Sequence, residues 1–345
     1  MNPLFKRRKK LFCQNKIAFI SLVLFLGLFL MSLMAPILAN DKPIFLKYKD
    51  HFYIPIVQEI TDEMLGGDLP TRADYQDPFT QDQITQNGWA LWAPIPYSAE
   101  TVDYFSTQPF PVAPCKHHWL GTDDQGRDLL ARLLYSLRLS LAFGLLLTLF
   151  ASLIGFCVGA IQGYFAGKTD LAIGRFIEIW GSLPQLFILI ILAGFLKPTF
   201  WSLLSILVLF SWPSLTGVVR AEFLRARHLD YVRAAKALGA CDLNLITRHI
   251  LPNALVATTT YLPFILSGAI VALSALDFLG LGLPAGTPSL GELIREAKEN
   301  LNAPWIGISI LILMSLLLAT LLLIGDGIRI AFDPYTKEEQ DVAKN

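Results

Sequence analysis

The sequence predicts an all-α membrane protein that crosses the bilayer several times. Hydrophobic residues make up 54% of the 345 residues and charged residues only 16%, and the mean hydropathy is +0.50. A helix needs about 20 apolar residues to span the hydrocarbon core, and a sheet or loop would leave backbone groups unpaired in lipid. Six apolar runs reach this length, so we expect six transmembrane helices, at residues 17–38, 139–161, 176–196, 200–219, 254–283 and 305–324.

The first apolar run follows five consecutive basic residues, Lys6 to Lys10. Basic residues that flank a span stay in the cytoplasm. With six spans, this orientation places both termini and residues 220–253 in the cytoplasm and residues 39–137 outside. A cleaved signal peptide is the alternative, but its apolar core usually has about 7–15 residues, whereas this run extends over residues 17–38.

The segment outside the membrane has two parts. Up to residue 114 it mixes proline, acidic and aromatic residues, which favours a small ordered cap that either contacts an external partner or covers the helix ends. Further on, five leucines between Leu129 and Leu137 share one helical face. We therefore expect an amphipathic helix at the membrane interface. Asp128 and Arg132 can pair across one turn, but for only about 0.2–0.5 kcal/mol, so this pair does not explain the motif.

The residues indicate no catalytic, cofactor or metal site. Residues 163–169 look like a phosphate loop but have three residues between the glycines where four are needed, so we do not expect this chain to bind ATP. His117 and His118 are adjacent and cannot easily share one tetrahedral ion with Cys115. Because Cys115 is the only cysteine of the four that falls in the external segment, no external disulfide within the chain is expected.

Three acidic residues fall near the ends of predicted membrane helices: Glu178, Asp277 and Asp326. Ionisable groups inside a membrane are functional candidates by default. Near a helix end their burial costs little, so we expect capping or interfacial pairing for these three carboxylates.

The most informative polar segment is residues 220–253, between two apolar runs, with six Arg or Lys and three acidic residues. Ala234 and Ala235 favour a helix that Gly239 can end in the left-handed conformation. Asp242 is placed to cap a second helix, and Pro252 to stop it. We call residues 220–253 the elbow. A DNA-binding helix-turn-helix is the alternative, but the position between two spans argues against any nucleic acid partner.

The elbow resembles the EAA loop of ABC importer permeases. Ala234, Ala235, Gly239, Leu251 and Pro252 match that loop by spacing, whereas Arg233 replaces its usual glutamate. The resemblance implies that the elbow contacts an ATPase partner. The coupling residues would be Asp230, Arg233, Ala234, Ala235, Lys236, Gly239, Ala240, Leu251 and Pro252.

A second match precedes the second span and resembles the peptide and nickel permeases of the "C" type. It consists of Gly121, Thr122, Asp123, Gly126, Arg127 and Asp128. Residues 278–282, 288–289 and 325–334 also resemble that family, with Tyr335 in place of a frequent arginine, so the resemblance covers residues 118–335. The long segment of residues 41–114 looks most like the Yej-type permeases linked to oligopeptide and microcin C uptake.

The resemblance implies a type I, MetI-like permease in the bacterial inner membrane. The expected parts are a basic cytoplasmic N-terminus (1–16), the first transmembrane helix (17–38), a periplasmic insert with an interfacial helix (39–137), a permease core of five transmembrane helices (138–330) and a cytoplasmic tail (331–345). The implied partners are a homologous sister permease, two ATP-binding cassette domains in two chains or fused in one, a periplasmic solute-binding protein, a peptide substrate and the lipid membrane. ATP and Mg would lie on the ATPase, and the chain itself would be no enzyme.

Other readings stay open at this level. Within the same family, the substrate could be a nickel chelate, an opine or glutathione. A proton-coupled carrier that works alone belongs to a different class, and it would need paired acids in the middle of the membrane and an internal repeat. An intramembrane hydrolase would need a catalytic pair. The sequence contains neither a convincing repeat nor such a pair.

Overall fold

The computed structural model describes residues 3–332, except residues 50, 69, 107 and 196. The predicted tail residues Asp333, Pro334 and Tyr335 lie outside the described residues. The chain forms two compact units. The helical unit contains residues up to 26, residues 141–285 and residues from 315 onward, and the mixed unit contains residues 27–140 and 286–314.

Helices dominate the described chain, and three short strands lie between the third and fifth helices. In chain order, the elements are α1 (Pro3–Gln14), α2 (Lys16–Leu33), α3 (Ala35–Leu38), β1 (Phe45–Tyr48), β2 (His51–Tyr53), a 3-10 turn (Asp62–Leu65), α4 (Pro78–Asn87), β3 (Gly88–Leu91), α5 (Leu129–Phe165), α6 (Gly167–Gly181), α7 (Gln185–Phe195), α8 (Phe200–Ser211), α9 (Pro213–Ala226), α10 (Asp230–Ala237), α11 (Asp242–Asn244), a π-helical turn (Leu245–Ile250), α12 (Leu251–Thr259), α13 (Leu262–Phe278), α14 (Leu290–Glu299) and α15 (Pro304–Phe332).

Four helical stretches of the described chain are long and apolar enough to cross a membrane: Lys16–Leu33, Leu129–Phe165, Phe200–Ala226 and Pro304–Phe332. Two further stretches are pairs of helices, α6 with α7 and α11–α12 with α13, bent by 67° and 52°. Pro184 explains the first bend, because the residue before a proline disfavours helical geometry. The spans number six if each bent pair is counted as one.

The predicted interfacial helix is wrong as a separate element. Residues 129–137 begin α5, which continues without a break for 37 residues. Leu129 and Leu133 are buried against Leu293, Ile306 and Ile310 of α14 and α15. The apolar face of this segment therefore packs against other helices of the protein. The same spacing of leucines is expected whether such a face contacts protein or lipid.

The all-α prediction misses a small antiparallel sheet in the mixed unit, with strand order β2-β1-β3. Leu46 and Tyr48 of β1 face a compact core that includes Ile60, Leu65 and Ile84. Every second residue of β1 points inward, as a strand with one buried face requires. We call residues 39–128, which contain this sheet, the insert.

In the helical unit, α5 and α9 pack along a seam of glycines. Gly155, Gly159 and Gly163 recur every fourth residue and so lie on one face of α5. A Cβ atom at Gly159 or Gly163 would come within 2.7 or 2.6 Å of a backbone carbonyl oxygen of α9. The three glycines face the carbonyls of Trp212, Thr216 and Arg220 in turn. Small residues at this spacing allow two membrane helices to approach closely.

Candidate functional site: the elbow and the buried charge cluster

The first half of the elbow is a short helix with one buried anchor. Val232 of α10 is buried in a cluster with Phe223, Leu245 and Ile250. On the other faces, the side chains of Asp230, Arg233, Ala234, Lys236 and Ala237 are exposed. The helix is therefore held from one side and presents small and charged side chains on the other.

Gly239 ends this helix as the sequence predicts, with φ of +85°. Its N–H donates to the Lys236 carbonyl at 3.0 Å, and the Ala240 N–H donates to the Ala235 carbonyl at 3.1 Å. This pair of bonds is a Schellman motif, which satisfies the last carbonyls of a helix and fixes the direction in which the chain leaves it. The corner of the elbow is consequently rigid.

Two side-chain contacts tie the elbow to the neighbouring helices. The Tyr164 hydroxyl at the end of α5 donates to Asp242 Oδ1 at 2.5 Å, and Arg227 Nη1 donates to the Tyr164 carbonyl at 3.0 Å. On the other side, Asn253 Nδ2 donates to the Tyr231 hydroxyl at 3.1 Å. A push on the exposed face would therefore reach α5 and α12 directly.

Two predicted roles in the elbow are wrong. Asp242 is the first residue of α11 and does not cap it, since Cys241 holds the cap position and the Asp242 carboxylate accepts from Tyr164. Pro252 does not stop a helix, because it lies in the first turn of α12. The preceding residues, Leu245–Ile250, form a π-helical turn, a wider turn that often marks a functional position. The first turn of a helix tolerates the missing N–H of proline.

Two exposed leucines flank the glycine corner. Leu238 is 89% exposed and Leu243 is 71% exposed. Beside them, Arg227, Arg233 and Lys236 line a pocket of about 300 Å³. Arg233, which stands where the family pattern has glutamate, lies with its Nη2 3.3 Å from His228 Nδ1. Two exposed leucines and three cationic side chains thus lie in the elbow, and Asp242 also lines the pocket.

The three membrane acids have local partners or lie at the surface. Glu178 forms an exposed ion pair with Arg175 at 2.6 Å, and Asp277 is buried near the end of α13 and accepts the Leu283 N–H at 2.8 Å. The first contact is an ion pair within one helix, and the second holds the turn that follows α13. Asp326 is exposed within α15, which continues to Phe332.

A further ion pair in the helical unit was not predicted. Arg220 of α9 donates through Nε and Nη2 to the two carboxylate oxygens of Asp170 in α6, each at 2.6 Å. Such bidentate ion pairs between arginine and a carboxylate are strong and geometrically specific. Each of the two helices carries a charged residue in an otherwise apolar stretch, which could have indicated an ion pair. The sequence alone does not show that two residues 50 positions apart are in contact.

The second predicted motif forms a buried charge cluster in the mixed unit. Asp123 Oδ2 lies 2.7 Å from Arg127 Nε and 2.8 Å from Arg132 Nη1. Glu296 Oε1 lies 3.1 Å from Arg127 Nη2 and 2.8 Å from Arg132 Nη2. Arg132 is completely buried. We call these four residues the charge cluster, in which two arginines contact two carboxyl groups.

The predicted pair of Asp128 with Arg132 is wrong. Asp128 Oδ2 lies 2.9 Å from His118 Nδ1, and its Oδ1 accepts the Ala131 N–H at 2.8 Å, so Asp128 caps α5. His118 Nε2 also lies 3.3 Å from Asp103 Oδ2. Burial lowers the pKa of His118, but the hydrogen bonds to Asp128 and Asp103 outweigh it, and the pKa is raised above its usual value.

The remaining motif residues shape the turn that carries these charges. Gly121 and Gly126 have φ of +82° and +80°, which only glycine adopts readily. A Cβ atom at Gly121 would lie 2.6 Å from the Val112 carbonyl oxygen. The Thr122 hydroxyl accepts the Val112 N–H at 2.8 Å. Every residue of this motif thus has a structural contact.

Glu296 belongs to this site, although the sequence did not single it out. Burial and the neighbouring charge of Asp123 raise the pKa of Glu296 to about 8. Glu296 lies 173 residues after Asp123 in the chain (296 − 123 = 173). The sequence pattern of α14 does not distinguish Glu296 from the other acidic residues of that helix. Among the described residues, no group of three or more His, Cys, Asp or Glu is arranged to hold a metal ion.

Apolar helices of spanning length, two of them joined by the exposed elbow, define a membrane protein that crosses the bilayer several times. Residues 155–338 match the sequence profile of the binding-protein-dependent transport system inner membrane component, and residues 4–55 match the N-terminal TM domain of oligopeptide transport permease C. The chain belongs to this family of transport-system membrane components. It is therefore a transport component and not an enzyme.

Curated relatives agree with this assignment. The inner membrane ABC transporter permease protein YejE of Escherichia coli (strain K12) is 49% identical over 97% of this chain and 98% of its own. The peptidoglycan transport system permease protein YejE of Agrobacterium fabrum is 48% identical over 96% of this chain and 93% of its own. The dipeptide transport system permease protein DppC of Haemophilus influenzae is 37% identical over 64% of this chain and 75% of its own.

Among solved structures, an inward-facing MetNI methionine ABC transporter aligns with a TM-score of 0.48 at 16% identity. The alignment covers 59% of this chain and 98% of that chain.

Proposed function

We propose that the chain is the transmembrane permease subunit of an ATP-driven importer for oligopeptides, including microcin C-like peptides. The chain would pass a peptide from a periplasmic binding protein into the cytoplasm. The names of the related permeases support this substrate class, since they refer to oligopeptide, dipeptide and peptidoglycan transport. Peptides released from the cell wall belong to the proposed range.

The observation that carries the proposal is the geometry of the elbow. The Schellman corner at Gly239 is rigid, and Tyr164 and Arg227 join the elbow to α5. The exposed side chains of Leu238 and Leu243 would offer a soluble partner an apolar contact surface. Closure of two ATPase domains against this surface would tilt the attached helices, because a rigid corner converts a rigid-body movement into helix motion.

The proposed partners are a homologous sister permease, a periplasmic solute-binding protein and two ATP-binding cassette domains, in two chains or fused in one. ATP and Mg would bind to those domains, and this chain would hold no cofactor. The coupling residues would be those of the elbow named from the sequence, from Asp230 to Ala240 together with Leu251 and Pro252. Leu238 and Leu243 extend that set.

The proposed topology has six spans, each bent pair counting as one, and both termini in the cytoplasm. The insert would then be periplasmic and the elbow cytoplasmic, in the division of residues 1–16, 17–38, 39–137, 138–330 and 331–345. In this orientation, the charge cluster lies on the periplasmic side, where it would fix the start of α5 beside the entry for the substrate.

A proton-coupled carrier is not favoured. Such a carrier would use acids that face one another in the membrane, whereas Glu178 is paired with Arg175 and Asp277 accepts a backbone N–H. Nickel chelates and opines have no support from the relatives reported above. Glutathione is itself a small peptide, and the glutathione permease relative is 31% identical, compared with 49% for the first relative.

The test replaces Gly239 with proline and measures uptake of a radiolabelled peptide by cells that express the complete transporter. Proline cannot adopt a φ of +85° and has no N–H for the Lys236 carbonyl, so we expect uptake to be lost while membrane insertion is normal. Gly239→Asn is the matched control, because asparagine tolerates the left-handed conformation, and it should retain most of the uptake. Normal uptake by Gly239→Pro would overturn the coupling role.

A further inference from the structure

The sheet of the insert has an open edge. β3 pairs with β1 on one side, and the strand order β2-β1-β3 places it at the end of the sheet. The Lys49 N–H donates to the Asn87 carbonyl at 3.2 Å, and the register pairs Lys47 with Trp89. In an antiparallel ladder, the bonded pairs alternate with unbonded ones. The backbone N–H and C=O of Gly88 and Ala90 therefore point away from β1.

Within its four residues, this edge strand carries no charged residue, proline or bulge. Natural edge strands are blocked by lysine, proline or a bulge that prevents another strand from pairing. β3 reads Gly-Trp-Ala-Leu and has neither a charged residue nor a proline. Proline follows both edge strands outside their paired residues, Pro55 after β2 and Pro94 after β3. The open edge of β3 is thus available to another strand.

A groove of about 640 Å³ lies along this edge. Its volume falls within the roughly 300–1,000 Å³ of typical ligand sites. The groove is lined by Gly88 to Ala90 of β3, by one face of α4 and by the segment that follows β3, and its aromatic residues are Trp89, Trp92 and Tyr97. Trp92 is held edge-on against Tyr75, with ring centroids 6.5 Å apart. The apolar part of the groove is therefore pre-formed.

The polar lining of the groove offers fixed acceptors. Gln76 Nε2 donates to the Pro96 carbonyl at 2.5 Å, and Gln81 Nε2 donates to the Tyr75 carbonyl at 3.2 Å. Each amide is held by its nitrogen, so its carbonyl oxygen has a defined position. His117 is the only titratable side chain of the lining besides the buried Tyr97. The groove suits a ligand that has N–H donors and uncharged side chains.

We propose that this groove binds an extended peptide of the importer's own cargo, which adds to β3 as a fourth strand. Backbone bonds to Ala90 would supply affinity, and the aromatic rings would receive alternate side chains, as in other cases of strand addition. Residues 39–114 carry 11 acidic and 4 basic residues, so a neutral or cationic peptide is favoured over an anionic one. The identity of the peptide as cargo rests on the proposed function, whereas its binding to the groove does not.

The test is a titration of the full chain in detergent micelles, followed by fluorescence anisotropy. The probe is an amidated pentapeptide of alternating valine and threonine whose N-terminus carries an uncharged BODIPY fluorophore in place of an acetyl group. We expect saturable binding, and we expect no displacement by the same peptide N-methylated at alternate amides, because it cannot pair with a strand edge. Equal displacement by the N-methylated peptide would overturn strand addition. Displacement by methyl N-acetylglucosaminide would identify a saccharide site and overturn the proposal.

Variants locate the site. Ala90→Pro removes an N–H that β1 does not use and should weaken binding roughly three- to tenfold, the effect of about one hydrogen bond. Ala90→Ser keeps that N–H, and Phe52→Ala changes an exposed residue of the other edge strand, so both should bind as wild type does. If Ala90→Pro does not fold, Gln81→Leu on the surface of α4 is the second variant. Binding that is unchanged in Gln81→Leu and in folded Ala90→Pro would overturn the proposal.

The two proposals can fail separately. Gly239→Pro lies outside the groove and should bind the probe normally while it loses uptake. If the wild-type chain binds the probe but the transporter takes up no peptide, the proposed function is refuted and the groove proposal stands. If the transporter takes up peptide but the chain does not bind the probe, the groove proposal is refuted and the proposed function stands.

Discussion

The glycine seam between α5 and α9 gives a sharp prediction. In Gly159→Ala, the new Cβ atom would lie 2.7 Å from the Thr216 carbonyl oxygen and 2.8 Å from Val219 Cβ. Ordinary contact begins near 3.4 Å, so the helices must separate by about 0.7 Å at this point (3.4 − 2.7 = 0.7). The carbonyl is backbone and cannot rotate aside. Overpacking of this kind costs about 1–3 kcal/mol.

The magnitude needs a matched control, because alanine also favours the helix by about 0.5–1 kcal/mol relative to glycine. Gly217→Ala on α9 provides it, since a Cβ atom at Gly217 has nothing within 4 Å. The helix preference is common to both variants, so the difference between their free energies of unfolding isolates the packing cost. We expect Gly159→Ala to be less stable than Gly217→Ala by about 1–3 kcal/mol.

The assay is equilibrium unfolding of the full chain in mixed micelles with increasing SDS, followed by circular dichroism. A difference in the expected range supports close contact of α5 and α9 at Gly159. Equal stability of the two variants would refute it, because a Cβ atom could not be accommodated without cost at the distances in the structure.

Three further predictions follow from the same contacts. Between pH 4.5 and about 8, Glu296 of the folded protein holds a proton that the unfolded chain has released. The stability of the wild type should therefore fall by up to about 1.4 kcal/mol per pH unit as the pH rises over this range, and Glu296→Gln should abolish this fall. Thermal unfolding against pH measures it, with the exposed Glu299→Gln as control, and equal slopes would contradict it. Tyr164→Phe should speed amide hydrogen exchange in the turn after Asp242 and lower peptide-stimulated ATPase activity, while assembly is kept; unchanged exchange would count against the tether. Replacing residues 45–91 by a short linker is feasible because Phe45 and Leu91 are paired, and it should impair uptake but not copurification of the ATPase, whose loss would show that the sheet is needed for assembly.

Local patterns predicted the apolar helices of spanning length, although two of the expected spans are bent pairs of helices, and they predicted the glycine corner. A run of apolar residues, or a glycine after a helix of alanines, carries its own structural consequence, and Gly239 has the predicted positive φ. Local patterns are ambiguous where one residue type is favoured at two different positions of a helix. Proline suits the first turn of a helix as well as the residue after its end, so Pro252 was placed in the wrong role.

Contacts between distant residues could not be predicted. The spacing of four residues allows Arg132 to pair with Asp128, yet its partners are Asp123 and Glu296. The glycines of α5 were visible as a repeat of four. Gly163 was considered only as part of a phosphate loop, because no sequence pattern states which helix faces it. The strands of the insert are too short, and too close to prolines, to stand out.

The central claim is that the elbow docks an ATP-binding partner. The most direct measurement is crosslinking from a cysteine at Ala237, an exposed position of α10, after Cys13, Cys115, Cys157 and Cys241 have been replaced. In membranes of cells that express the complete transporter, we expect a crosslink to an ATP-binding protein whose yield changes when ATP is added. If the protein is folded and transport is active but no such crosslink forms, the elbow is not the coupling surface, and the account is wrong.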